Sequence, residues 1–340
     1  MSSVIKNIKP LGFPWETQDP FIFCVFHHDD FPAGNGQMGV KEADRRGRNI
    51  GSDFTVKDGF RMYHGSEVPG FPYHPHRGFE TITINREGVV DHTDSLGAAG
   101  RFMAGDVQWM TAGKGVLHSE MFPLQHDDQP NTLEIFQIWL NLARASKMVE
   151  PHFKMLWREE IPVVERSDAN GRKTTIDIIA GNLYEQQAPS PTPDSWAADP
   201  DHAVGVFTIK MEANAQWTLP ASHADSNRSL YFYEGESIQI EGQSIPSNLL
   251  VELEAGQELV IQNGPQEASL LVLQGRPINE PVVSYGPFVM NSQEEIQQAF
   301  ADYQRTQFGG WPWPEKEQTH AAERGRFALH ADGREEIKEY

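Results

Sequence analysis

The sequence predicts an all-β protein of sandwich or barrel type, closed by one helix near its end. Three observations predict it. In the first half, short apolar or alternating runs recur at Phe21 to Phe26, Phe79 to Ile84, Gly88 to Thr93, Val107 to Thr111 and Leu133 to Leu140, separated by Gly, Pro, Asn and Asp. After residue 173 a second series follows: TTIDIIAG, VGVFTIKM, SLYFYEG, ESIQIEG, LLVELEAG, ELVIQNG and SLLVLQG. Several of these end in Gly, which supplies the positive φ that tight hairpin turns demand. Finally, no long amphipathic helical stretches lie between the runs, which argues against βαβ units.

Two series of similar size suggest a duplicated β architecture, with domains expected at 1–150 and 151–290 and a helix with a charged tail at 291–340. In the second series, Pro189, Pro191, Pro193 and Pro200 punctuate a segment from Glu185 to Asp201. It reads as an extended surface excursion, because proline blocks ladder hydrogen bonds. The helix is signalled by Ser292 and Glu295 at capping-box spacing, followed by Ile296, Phe300 and Tyr303 on one apolar face. That face should dock on a sheet. Beyond Trp313 the chain turns polar and charged, and is expected to be a loosely held tail or a short exposed helix.

The 340 residues carry a formal net charge of −20. A chain of this sign without a segregated basic face is repelled by phosphate backbones, so direct nucleic-acid binding is not expected. No run of 18 apolar residues occurs, so no membrane-spanning helix is expected. The start, MSSVIKNIKPLGFPWET, lacks the apolar core of a secretory signal, and a cytoplasmic location is the expectation. A single cysteine, Cys24, excludes a thiolate zinc site and an internal disulfide. Chemistry is left to the 13 histidines and the carboxylates.

Two pairs stand out. YHPHRGFETI places His74 and His76 two residues apart, and GKGVLHSEMF places His118 and Glu120 at the same spacing. Residues i and i+2 of a strand share a face, so two such pairs on neighbouring strands could converge on one ion. The run His27, His28, Asp29, Asp30 reads as a loop that could rim such a site. His92 and Asp94 read as a pair on a solvated strand face, His64 as a residue of the mouth, and His223 as a histidine without a partner. No Walker loop or GxSxG elbow occurs.

The segments FPYHPHRGFETITI, MAGDVQWMTAGKGVLHSEM and GPFVMNSQEEIQQAFADYQ resemble the pirin family of the cupin superfamily. The resemblance implies two tandem cupin-type barrels, double-stranded β-helices of jelly-roll form, with a C-terminal helix. It implies one divalent metal in the first barrel, held by His74, His76, His118 and Glu120, and none in the second. Against the general cupin pattern, Gly88 falls one residue late and two extra residues separate Gly105 from His118. Glu80 is thereby left beside the site while Glu120 takes the carboxylate role. Imidazole and carboxylate donors suit Fe(II), with Mn, Ni, Cu and Zn open. The resemblance further implies a dioxygenase of quercetin-like flavonols, with Glu120 as catalytic base and dioxygen as co-substrate. A redox-responsive, iron-dependent regulator that binds a protein partner is the alternative.

Overall fold

Successive side chains on extended backbone leave opposite faces, and burial alternates over residues 27–31 of strand Phe21–Phe31, whereas Val89–Asp94 and Val116–Met121 are buried throughout. In the computed structural model, which describes residues 3–339, the strands build two units. One unit comprises Phe26–Ile138, Leu142–Arg158 and the residues from Glu280 onward. Its six-stranded sheet runs, edge to edge, Glu335–Lys338, Arg326–Leu329, Ala99–Met103, Val89–Asp94, Val116–Met121 and Gly70–His76. Its five-stranded sheet runs His152–Leu156, Val107–Thr111, Phe79–Glu87, residues 131–138 of strand Asn131–Asn141 and residues 26–31 of strand Phe21–Phe31. Val90, Phe102 and Ala328 from the first sheet meet Leu133, Ile135 and Phe153 from the second in one core.

The other unit comprises the chain up to Val25, Trp139–Asn141 and Glu159–Asn279. Here a seven-stranded sheet contributes Ile176, Phe207, Leu230 and Val251, and a four-stranded sheet contributes Trp217, Ile238 and Ile261, to a second core.

The units do not follow chain order. Strand Ile5–Pro10 pairs antiparallel with Leu249–Glu254, Ile8 opposite Val251, and packs Ile5 and Ile8 on the core of the Glu159–Asn279 unit. Residues from Glu280 onward join the unit that holds residues 26–138 instead of standing apart.

The segment after Trp313 is not a loose tail or a helix. Arg326–Leu329 pairs with both Ala99–Met103 and Glu335–Lys338, and buries Phe327 and Ala328. Its charge misleads because one of its charges, Arg326, is paired inside. Arg326, with no exposed surface, donates from Nε to Asp106 Oδ2 at 2.8 Å. Arg101, equally buried, bonds the Asp91 carboxylate and the carbonyls of His320, Ala321 and Arg324.

The helix, Gln293–Thr306, starts where its capping box places it: Ser292 Oγ accepts from the Glu295 N–H, and the Glu295 carboxylate accepts from the Ser292 N–H. Ile296, Ala299, Phe300 and Tyr303 pack on Phe288 and Met290 of a small two-stranded sheet. The proline-bearing segment near 190 is not simply extended. It folds into 3₁₀ turns at Trp196–Ala198 and Pro200–His202, with the Trp196 indole donating to the Arg276 carbonyl.

Candidate metal centre

Three of the histidines meet because of strand register. Gly70–His76 lies antiparallel to Val116–Met121 with His74 opposite His118 and Phe71 opposite Glu120, a bulge falling between the two pairs. Gly70 permits the close approach: at φ +132°, a Cβ there would lie 2.5 Å from the Glu120 carbonyl oxygen. Directly opposed residues share a face, and so do His118 and Glu120 two apart. The rings of His74, His76 and His118 form a triangle, with centroids 4.5, 4.7 and 4.8 Å apart. One nitrogen of each lies within 4.8 Å of the others.

The donors fit a metal ion. His74 donates its Nδ1–H to the Pro72 carbonyl at 2.9 Å, which leaves a lone pair on Nε2. That Nε2 lies 3.0 Å from Nε2 of His118. Two nitrogens held at right angles, each about 2.1 Å from one ion, would be about 3.0 Å apart. Burial lowers the proton affinity of all three imidazoles, His74 to about 4 and the other two well below their ordinary value. Neutral rings are the form that binds a metal. His76 and His118 are buried, whereas His74 keeps partial exposure, so the centre meets solvent on the His74 side.

Glu120 is buried on the same strand face as His118 but is not one of the clustered donors. Its Oε1 accepts from Thr83 Oγ1 at 2.7 Å and its Oε2 from Gln137 Nε2 at 3.2 Å. Burial raises its proton affinity, against the lowering effect of those hydrogen bonds. Glu80 lies on another strand, where Thr111 Oγ1 donates to it at 2.7 Å. Thr83 and Gln137 carry no motif. The available signal was the period-two placement of Thr81, Thr83 and Asn85 in a buried strand, polar residues that burial obliges to find partners.

Two readings of the other histidines are corrected. His92 and Asp94 are completely buried, not solvated. In register, His92 opposes Glu120 and Asp94 opposes His118. The His92 ring stacks on Phe153 at 4.8 Å, and its centroid is 5.6 Å from that of His118. His27 to Asp30 lie not in a loop but in strand Phe21–Phe31, alternating inward and outward. The inward pair is satisfied by its surroundings: Arg61 and Tyr63 donate to the Asp29 carboxylate, and His27 Nδ1 then donates to the Tyr63 oxygen at 2.8 Å. His64 is exposed and donates from Nδ1 to the Gly51 carbonyl, and His223 is an exposed turn residue whose Nδ1 accepts from the Asp225 N–H. A groove of about 700 Å³ lined by Phe31, Val89, Met103, Phe122 and Arg158 includes none of the three clustered histidines.

A β-sandwich unit with three convergent histidines, accompanied by a second unit of similar build, defines a bicupin. Residues 36–140 match the sequence model of Pirin, and residues 206–309 match that of the Pirin C-terminal cupin domain. A pirin-like protein of Solanum lycopersicum is 37% identical over 256 residues, covering 74% of this chain and 80% of that protein. Pirin-like protein 2 of Arabidopsis thaliana is 34% identical over 310 residues, covering 88% and 89%. The crystal structure of a quercetin 2,3-dioxygenase from Acinetobacter baumannii superposes with a TM-score of 0.69 at 26% identity, covering 90% of this chain and 98% of that one. The chain belongs to the pirin family. Among the described residues, no helix is long and apolar enough to cross a membrane.

Proposed function

We propose that this chain is a metal-dependent dioxygenase of flavonol-like, enolic aromatic substrates, working in the cytoplasm with Fe(II). The observation that carries the reading is the convergence of His74, His76 and His118 on one point, all neutral, beside a buried carboxylate on the same strand face. His74, His76 and His118 would hold the ion, and Glu120 is the further carboxylate within that face. A bound Fe(II) would supply Lewis acidity toward an enolic oxygen and a one-electron couple for dioxygen chemistry.

The residues have distinct tasks. The hydrogen bond from His74 to Pro72 fixes the ring so that its lone pair faces its neighbours. Thr83 and Gln137 hold the Glu120 carboxylate in place. Burial makes that carboxylate a stronger base than an exposed one, so it takes the proton of the substrate hydroxyl. Quercetin 2,3-dioxygenase is the named activity of the Acinetobacter structure, which supports the substrate class.

The test pairs metal analysis of protein purified without chelators with oxygen-electrode assays against a small flavonoid panel. Stoichiometric iron with flavonol-dependent oxygen uptake is expected. Iron-loaded protein that consumes no oxygen with any flavonol overturns the reading.

A further inference from the structure

The metal centre opens on the His74 side, and what stands there is aromatic. Phe71 shares the inner face with Glu120 and His118, is half-buried, and has its ring centroid 6.3 Å from His74. Phe54 is 39% exposed, an unusual position for a phenylalanine, and its ring lies 6.3 Å from Phe71 and 4.9 Å, edge-on, from His64. His64 is itself 5.8 Å from Phe71. The rings therefore form a continuous series from solvent to a metal-site histidine.

This series is built rigidly. Tyr63 and Asp53 exchange both backbone hydrogen bonds, at 2.8 and 2.9 Å, across the loop that carries Phe54. The Asp53 carboxylate in turn accepts from Arg48 and from the Met62 N–H. Tyr63 sits at φ +58°, a conformation that side chains other than glycine adopt only when their surroundings impose it. It supports Phe71 from behind at 5.1 Å.

We propose that Phe54, Phe71 and His64 form the entrance wall that selects a flat, polyhydroxylated aromatic ligand. Phe54 and Phe71 supply apolar ring contacts, since edge-on and offset arrangements around a planar guest are the favoured aromatic geometries. His64 supplies direction. Its Nδ1–H is engaged by the Gly51 carbonyl at 2.7 Å, so Nε2 presents a lone pair that accepts from a phenolic hydroxyl remote from the end at the metal centre. This assignment rests on the proposed substrate class and adds the residues that recognise it.

Zinc-loaded protein, which cannot turn over, is titrated with quercetin and with 3-hydroxyflavone, reading ligand absorbance and tryptophan quenching. Phe54→Ala is expected to weaken both ligands about tenfold. His64→Phe is expected to weaken quercetin by a similar factor and to leave 3-hydroxyflavone within twofold. Zinc content equal to that of the unaltered protein establishes that each variant keeps the metal centre. Quercetin affinity unchanged within twofold in both variants, or no binding by the unaltered protein, overturns the wall. Oxygen uptake by the iron-loaded protein is read separately. Binding that depends on Phe54 and His64 without oxygen uptake removes the dioxygenase and keeps the wall, whereas flavonol turnover with KM unchanged in both variants does the reverse.

Discussion

His74 and His118 face one another across two antiparallel strands with their Nε2 atoms 3.0 Å apart. Neither ring can leave without removing one of three clustered donors. His74→Ala is therefore expected to abolish iron binding, measured by metal analysis, and oxygen uptake with it. Full flavonol turnover by a demonstrably metal-free variant would refute the assignment.

Glu120 is not among the clustered donors and is held by Thr83 and Gln137, and the task proposed for it is proton transfer. Glu120→Gln keeps the shape and loses the base. Iron content should remain near that of the unaltered protein while kcat falls by roughly 10²–10⁴-fold, the usual contribution of a positioned base. Loss of iron in proportion to activity would make Glu120 a ligand instead.

Arg326 and Asp106 form a buried pair between the last part of the chain and the turn before strand Val107–Thr111. Arg326→Ala leaves a carboxylate buried without its main countercharge, which costs about 3–5 kcal/mol. Denaturant unfolding should show a fall of that size. A change below about 0.5 kcal/mol, the range of ordinary surface substitutions, would show that the pair is dispensable.

His27 is buried beside the Arg61 guanidinium, and its proton affinity drops to about 3 from an ordinary value of 6.5, first through burial and then through that charge. The unfolded chain consequently binds the extra proton throughout that window and the folded chain does not. Stability from this group is complete above pH 6.5 and is lost as the pH falls toward 3. Between pH 6.5 and 4.5 the loss is about 2 kcal/mol. His27→Gln, which can still donate to Tyr63, should flatten the profile of unfolding free energy against pH over this range; an unchanged slope would exclude His27 as its source.

The sequence exposed what depends on local rules. Alternation revealed the strands, the Ser292 to Glu295 spacing revealed the helix start, and the i, i+2 spacing of His74 and His76 revealed a shared face. What it concealed depends on long-range partners. His27 and Asp29 read as loop residues because their partners, Arg61 and Tyr63, lie more than thirty positions away. His92 and Asp94 looked solvated because strand Val89–Asp94 is buried on both faces, which polar composition does not announce. Arg326 looked like part of a charged tail for the same reason: its carboxylate partner is 220 positions distant.

The pairing of Arg326–Leu329 with Ala99–Met103 bears on synthesis of the protein. At about 5–20 residues per second, a ribosome delivers the Glu159–Asn279 unit in full before the last strands of the histidine-bearing sheet exist. The unit encoded largely first is thus completed last. During that interval strand Ala99–Met103 presents an open edge in the nascent chain, a template for wrong pairing.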